Sequence, residues 1–141
     1  MKGSFFAFIG GAFITLQGVA NSRISQDIGT WQTATLTQLT GFITALCILL
    51  VVRDGKWLGL KRVQPLYLAG GALAAVIIFG NVTAIHQIGA TLTISAILIA
   101  QLSLTFFIDS NGWFGVAKQQ MRLPHFIGIG LMIAGVVILR Y

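Results

Sequence analysis

The stretch from Gly89 to Gly112, GATLTISAILIAQLSLTFFIDSNG, constrains this chain more than any other. It is apolar for long enough to cross a bilayer, yet polar side chains run through its middle. Thr93, Ile97, Gln101, Thr105 and Asp109 recur every four residues, so in a helix they drift only slowly around one side. At 1.5 Å per residue, Thr93 and Asp109 stand about 24 Å apart, most of a hydrocarbon core. Gln101 then lies near mid-membrane, where an amide must find a partner or a watery cavity. A helix of this kind faces other protein or a pathway as well as lipid.

Charge is scarce everywhere else too. Of 141 residues 56% are hydrophobic and 9% charged, against about 25% charged in soluble domains, so the chain reads as an all-α integral membrane protein. Its length accommodates four or five spans and no soluble domain of useful size. In a soluble chain a net charge of +6 would point to nucleic acid; in a membrane chain it points to basic cytoplasmic loops, and no nucleic-acid partner is expected. The single cysteine, Cys47, lies within an apolar run, which leaves neither a disulfide framework nor a cysteine-based metal site. No cofactor is expected. Glutamate is absent altogether.

Five spans are expected in one transmembrane domain covering 1–141, at about 4–20, 32–52, 66–85, 90–108 and 125–139. The first also has the basic start, apolar run and Gly-Val-Ala end of a signal peptide, but Gln17 interrupts it and the rest of the chain is equally apolar. The second opens on a hydroxyl-rich half with Thr33, Thr35, Thr37, Gln38 and Thr40. A tight turn at His86 to Gly89 makes the third and fourth a helical hairpin. Pro124 suits the first turn of the fifth.

With five spans the N-terminus, the Arg53–Pro65 loop and the Asp109–Pro124 segment share one side. That side carries seven basic residues and the other only Arg23 and Arg140, which orients the N-terminus to the cytoplasm and the C-terminus outside. Trp31, Trp57, Tyr67, Trp113 and Tyr141 fall at span ends, as an aromatic belt requires. Gly71 with Ala75, and Gly130 with Ala134, have small-x-x-x-small spacing, read here as close helix packing within the chain rather than as a dimer motif.

Three segments carry a resemblance: LQGVANSRISQDIG from Leu16, IGATLTISAILIAQLSLTFFIDSNGWFG from Ile88, and IGIGLMIAGVVIL from Ile127. Together they resemble the YdcZ-type short transporters of the drug/metabolite transporter superfamily over nearly the whole chain. The chain departs from that pattern at Ala100, where the family usually shows Gly, and at Ser110-Asn111, where His-Phe is common. The resemblance implies a cell (inner) membrane protein that forms one half of an inverted-repeat transporter. It would pair with an oppositely inserted copy or homologue, share a midplane site and work by alternating access. Seven basic residues against two is lopsided for a chain that inserts both ways, which favours an antiparallel heterodimer, with a homodimer as the alternative.

Candidate substrate-binding residues are Gln17 and Asn21, four apart on one face of the first span, with Gln38, Asn81, Gln101 and Thr105. The competing reading is that the amides bond neighbouring helices and the threonines their own backbone. Asp109 and His86 are the candidates for energy coupling; Asp109 could equally organise the Ser110-Asn111-Gly112 turn, and His86 could be an interfacial residue. No carboxylate lies in a span interior, so the chain does not look like a cation/proton antiporter built on a membrane glutamate. A small-metabolite transporter subunit is the leading function. A dual-orientation ion channel and a non-transporting accessory subunit are the alternatives. An enzyme is not expected, since no H-E-x-x-H, nucleophile elbow, P-loop or Cys-x-x-Cys pattern occurs.

Overall fold

A computed structural model describes residues 2–52, 69–115 and 123–140. It is all-helical, with five long helices among the described residues: α1 (Lys2–Ile28), α2 (Thr30–Val52), α3 (Gly70–Ile88), α4 (Ala90–Asn111) and α5 (Leu123–Arg140). Each is long and apolar enough to cross a membrane. The basic loop residues Arg53, Lys56, Lys61, Arg62, Lys118 and Arg122, with Trp57, Tyr67 and Tyr141, lie outside the described residues.

The helix ends follow backbone chemistry. Gly29 alone separates α1 from α2 and Gly89 alone separates α3 from α4, with φ of +93° and +80°. Only glycine takes that region without a Cβ penalty. In both links the backbone N–H of the residue four further on, Thr33 or Thr93, returns to the glycine carbonyl, at 3.1 Å and 3.2 Å. The two links share the pattern Ile-Gly-x-x-x-Thr, at Ile28–Thr33 and Ile88–Thr93. Gly112 closes α4 in the left-handed conformation with its N–H bonded to the Ile108 carbonyl.

The chain divides into two compact units, Met1–Gln87 and Ile88–Tyr141. In the first, α1 and α2 form an antiparallel hairpin about Gly29. Its interior is polar and small: Gly18, Asn21, Ser22 and Ser25 of α1 and Thr33 and Ala34 of α2 are buried. Burial in α1 and α2 concentrates at the Gly29 end, whereas 2–14 and 41–48 of the same two helices are exposed but for Ile9. Side chains bring α3 onto this unit. Trp31 stacks on Phe79 with ring centroids 4.4 Å apart and planes 22° off parallel, and Gln38 Nε2 donates to the Gly71 carbonyl at 3.2 Å.

α1 continues past Ala20 to Ile28, making 27 residues, or about 40 Å, longer than the roughly 30 Å of a hydrocarbon core. The last turns carry the Arg23–Asp27 ion pair at 3.3 Å, with both side chains about two-thirds exposed (68% and 67%), as a helix end emerging from a bilayer requires. In the second unit α4 packs along α5, with the Phe106 and His125 rings 5.0 Å apart and Phe107 edge-on to Trp113.

The expected small-residue pairs do not mark the tightest backbone approach. A Cβ built on Gly71 or Gly130 would meet no atom within 4 Å among the described residues, although the Gly71 carbonyl accepts from Gln38. The close approach occurs instead at Gly18, where a Cβ would stand 3.0 Å from Asn81 Nδ2. Gly18 and Ser22 form a small-x-x-x-small pair too, and what sets them apart is a neighbouring helix whose polar side chains reach them.

Candidate functional site

Asn21 and Thr37 stand eight positions either side of Gly29 (29 − 21 and 37 − 29), so an antiparallel hairpin sets them opposite one another. Thr37 Oγ1 donates to Asn21 Oδ1 at 2.8 Å, the bond that ties the two helices at this level. Beside it an open groove of about 570 Å³ runs between α1 and α2, with Gln17, Asn21, Thr37, Thr40 and Thr44 along it. Those residues sit at three- and four-residue spacing on their helices, which places them on one face of each. Gln17 is exposed and makes no side-chain hydrogen bond among the described residues. Among the described residues no ionisable side chain lines the groove.

The other threonines of α2 mostly turn back on their own helix. Thr33 bonds the Gly29 carbonyl at 2.8 Å, Thr35 the Trp31 carbonyl at 3.0 Å, Thr40 the Leu36 and Thr37 carbonyls at 3.0 Å and Thr44 the Thr40 carbonyl at 2.9 Å. Such bonds satisfy a hydroxyl hydrogen where no water competes. Thr37 departs from the pattern because Asn21 offers it a better-placed acceptor.

Asn81 and His86 of α3 meet α1 on its Gly18–Ser22–Ser25 face, beside the groove and not in it. Asn81 Oδ1 is buried without a hydrogen-bond partner among the described residues. His86 Nε2 lies 2.9 Å from the Ser22 carbonyl and 3.2 Å from Ser25 Oγ. Ser22 O can only accept, so Nε2 carries the hydrogen. Ser25 Oγ in turn donates to the Ser22 carbonyl at 2.8 Å. His86 therefore clasps two helices. Gln38, spent on the Gly71 carbonyl, also stands outside the groove.

Gln101, Thr105 and Asp109 belong to the second unit. Thr105 Oγ1 donates to the Gln101 carbonyl at 2.8 Å, and both residues are exposed on the unit. The Gln101 amide has no hydrogen bond among the described residues. Asp109 is half-buried and bonds no described residue; the turn beyond it is organised by Ser110 and Asn111, which both donate to the Phe107 carbonyl, at 3.0 Å and 2.8 Å, and by the Gly112 cap. A smaller, mainly apolar cleft of about 250 Å³ lies between α4 and α5 beside Ser95 and Met132. No group of three metal-ligating side chains occurs among the described residues.

Sequence reasoning missed Ser22 and Ser25, and it did not single out Thr40 and Thr44 as groove residues. The signal for the serines was a run of small residues, Gly18, Ser22, Ser25 and Gly29, on one helix face. For the threonines it was the spacing of Thr37, Thr40 and Thr44.

No curated protein and no solved structure matches the chain. A family model described as "Putative inner membrane exporter, YdcZ" matches residues 3–138. With five membrane-length helices and a match over nearly its full length, the chain belongs to the YdcZ family of inner-membrane exporters in the drug/metabolite transporter class.

Proposed function

We propose that this chain is one half of a small-metabolite transporter and that its substrate passes along the α1–α2 groove. The observation that carries the reading is the groove itself: neutral amides and hydroxyls converge there along facing sides of two membrane-length helices. A polar strip at membrane depth that is not used up in helix packing marks a pathway or site. Gln17 and Gln101, both amides with no intrachain bond among the described residues, are the groups free to meet a ligand.

The working form is an antiparallel dimer with an oppositely inserted related chain, alternating access around a shared site. The charge count supports a fixed orientation, N-terminus in the cytoplasm and C-terminus outside, and so favours a heterodimer over a homodimer. Asp109 and His86 remain the proposed coupling groups, with the His86 clasp on α1 as a second role for that side chain.

Single cysteines at positions 61 and 87, labelled from each side of the membrane with the chain expressed alone, test the assembly. One orientation, with 61 inside, supports the heterodimer. Comparable labelling from both sides at each position would replace it with a homodimer, and 61 outside in most molecules would reverse the topology. Reconstitution alone and with the partner then tests transport, where saturable flux well below diffusion excludes a channel.

A further inference from the structure

The groove is neutral, and its hydroxyl hydrogens are all committed. Each threonine hydroxyl has one hydrogen to give and two lone pairs to receive. Thr37 gives its hydrogen to Asn21 Oδ1, Thr40 to the Leu36 and Thr37 carbonyls, and Thr44 to the Thr40 carbonyl. What these three present to a ligand is therefore lone pairs alone. They form a ladder of acceptors along α2 with rises of about 4.5 and 6 Å. Gln17 Oε1 adds another acceptor. The donors stand on α1 alone, at Gln17 Nε2 and Asn21 Nδ2, since Asn21 Oδ1 is taken by Thr37.

Charge has no counterpart there among the described residues. Arg23 and Asp27, on the same helix beyond the groove, pair with each other at 3.3 Å, and Arg23 also donates to Gln26 Oε1 at 3.1 Å. A carboxylate or phosphate would find only the two α1 amide groups as donors, facing the threonine lone pairs and with no cation to offset its lost hydration, and an ammonium would lose its hydration without gaining an anion. Ile24, Leu36 and Ile48 supply an apolar side to the same groove. Its volume, about 570 Å³, lies within the range of small-molecule sites.

Resting on the reading of this groove as the substrate site, we propose that it selects uncharged amphipathic molecules whose polar edge donates hydrogen bonds. Polyols and hydroxylated rings have that chemistry, with non-adjacent hydroxyls donating to successive rungs of the Thr37–Thr40–Thr44 ladder. Carboxylates, phosphates and cations are excluded.

The test is protection of a groove cysteine, Ala45→Cys in a Cys47→Ser background, in the full chain in proteoliposomes with its partner where one is required. The probes are cyclohexane-1,3-diol, its dimethyl ether, cyclohexanecarboxylate and cyclohexylammonium. The expected result is slowed maleimide labelling with the diol at concentrations at least tenfold below those of the other three. Thr40→Val should raise the diol concentration needed by tenfold or more, and Thr40→Ser should restore it. Equal protection by diol and diether, or better protection by either ion, overturns the donor-selective reading and leaves the groove a site for another class. Protection by none of the four overturns the groove as the substrate site and the proposal with it.

Discussion

The Asn81 amide occupies the space that a side chain at Gly18 would need, its Nδ2 standing 3.0 Å from where a Cβ would be. This contact brings α3 against α1, and a side chain at position 18 would have to displace the Asn81 amide. Gly18→Val is expected to lower stability by about 1–3 kcal/mol, the usual cost of overpacking. Gly18→Val combined with Asn81→Ala is expected to recover most of that loss. Reversible denaturation in detergent measures both, and a double mutant no better than the single one would refute the contact as the cause.

Glycines elsewhere divide by backbone conformation, and the same substitution should act with opposite signs. Gly29→Ala and Gly89→Ala force a Cβ into the left-handed region and are expected to cost about 1–2 kcal/mol each. Gly80→Ala and Gly128→Ala add a methyl group to a helix interior with open space around it, and should be neutral or stabilising by up to about 1 kcal/mol. Unfolding midpoints that failed to separate the two pairs would contradict the single-residue links.

His86→Leu removes the clasp on Ser22 and Ser25 and is expected to destabilise the first unit by about 1–2 kcal/mol, the size of interhelical hydrogen bonds in membranes. His86→Gln keeps an N–H donor and should lose less than half of that. If transport also falls in the glutamine variant while stability holds, His86 has a coupling role beyond the clasp.

Gln101→Ala should leave stability unchanged, within about 0.5 kcal/mol, because the amide has no bond to lose among the described residues. Ligand-induced stabilisation should disappear in the same variant. An unfolding midpoint that drops while ligand binding persists would make Gln101 a packing residue.

Thr37→Val deletes the hydrogen bond to Asn21 while preserving shape, and about 0.5–1.5 kcal/mol of stability should go with it. A Thr37→Val, Asn21→Ala cycle measured by denaturation should return a coupling of that order, whereas additivity would place the two side chains out of contact.

Much of the architecture was legible because a bilayer leaves a chain few choices. Twenty apolar residues must form a helix when no water is present to hydrogen-bond the backbone, so the five helices follow from hydropathy alone. The polar residues that interrupt the apolar runs, Gln17, Asn21, Thr37 and Gln101, could likewise be recognised as exceptional by type. What each one does could not. Asn21 and Gln38 are both buried or half-buried amides at comparable depth, yet one lines an open groove and the other is spent on a carbonyl of α3. Small-residue spacing has the same limit: it marks where a backbone can be approached and says nothing of which neighbour arrives, and the tight Cβ position falls at Gly18, not at Gly71 or Gly130.

The sequence by itself determined the number of helices, their predominantly apolar character, the neutral chemistry of the candidate substrate-binding side chains and, at Gly29 and Gly89, residues able to take the positive φ that a one-residue link requires. Only the tertiary structure decided which amides pair with which partners, because a hydrogen bond depends on positions within a few tenths of an ångström that helical periodicity leaves open. Folding the hairpin about Gly29 set Thr37 against Asn21 and left the Gln17 amide without a partner among the described residues. The docking of α3 consumed Gln38 and His86.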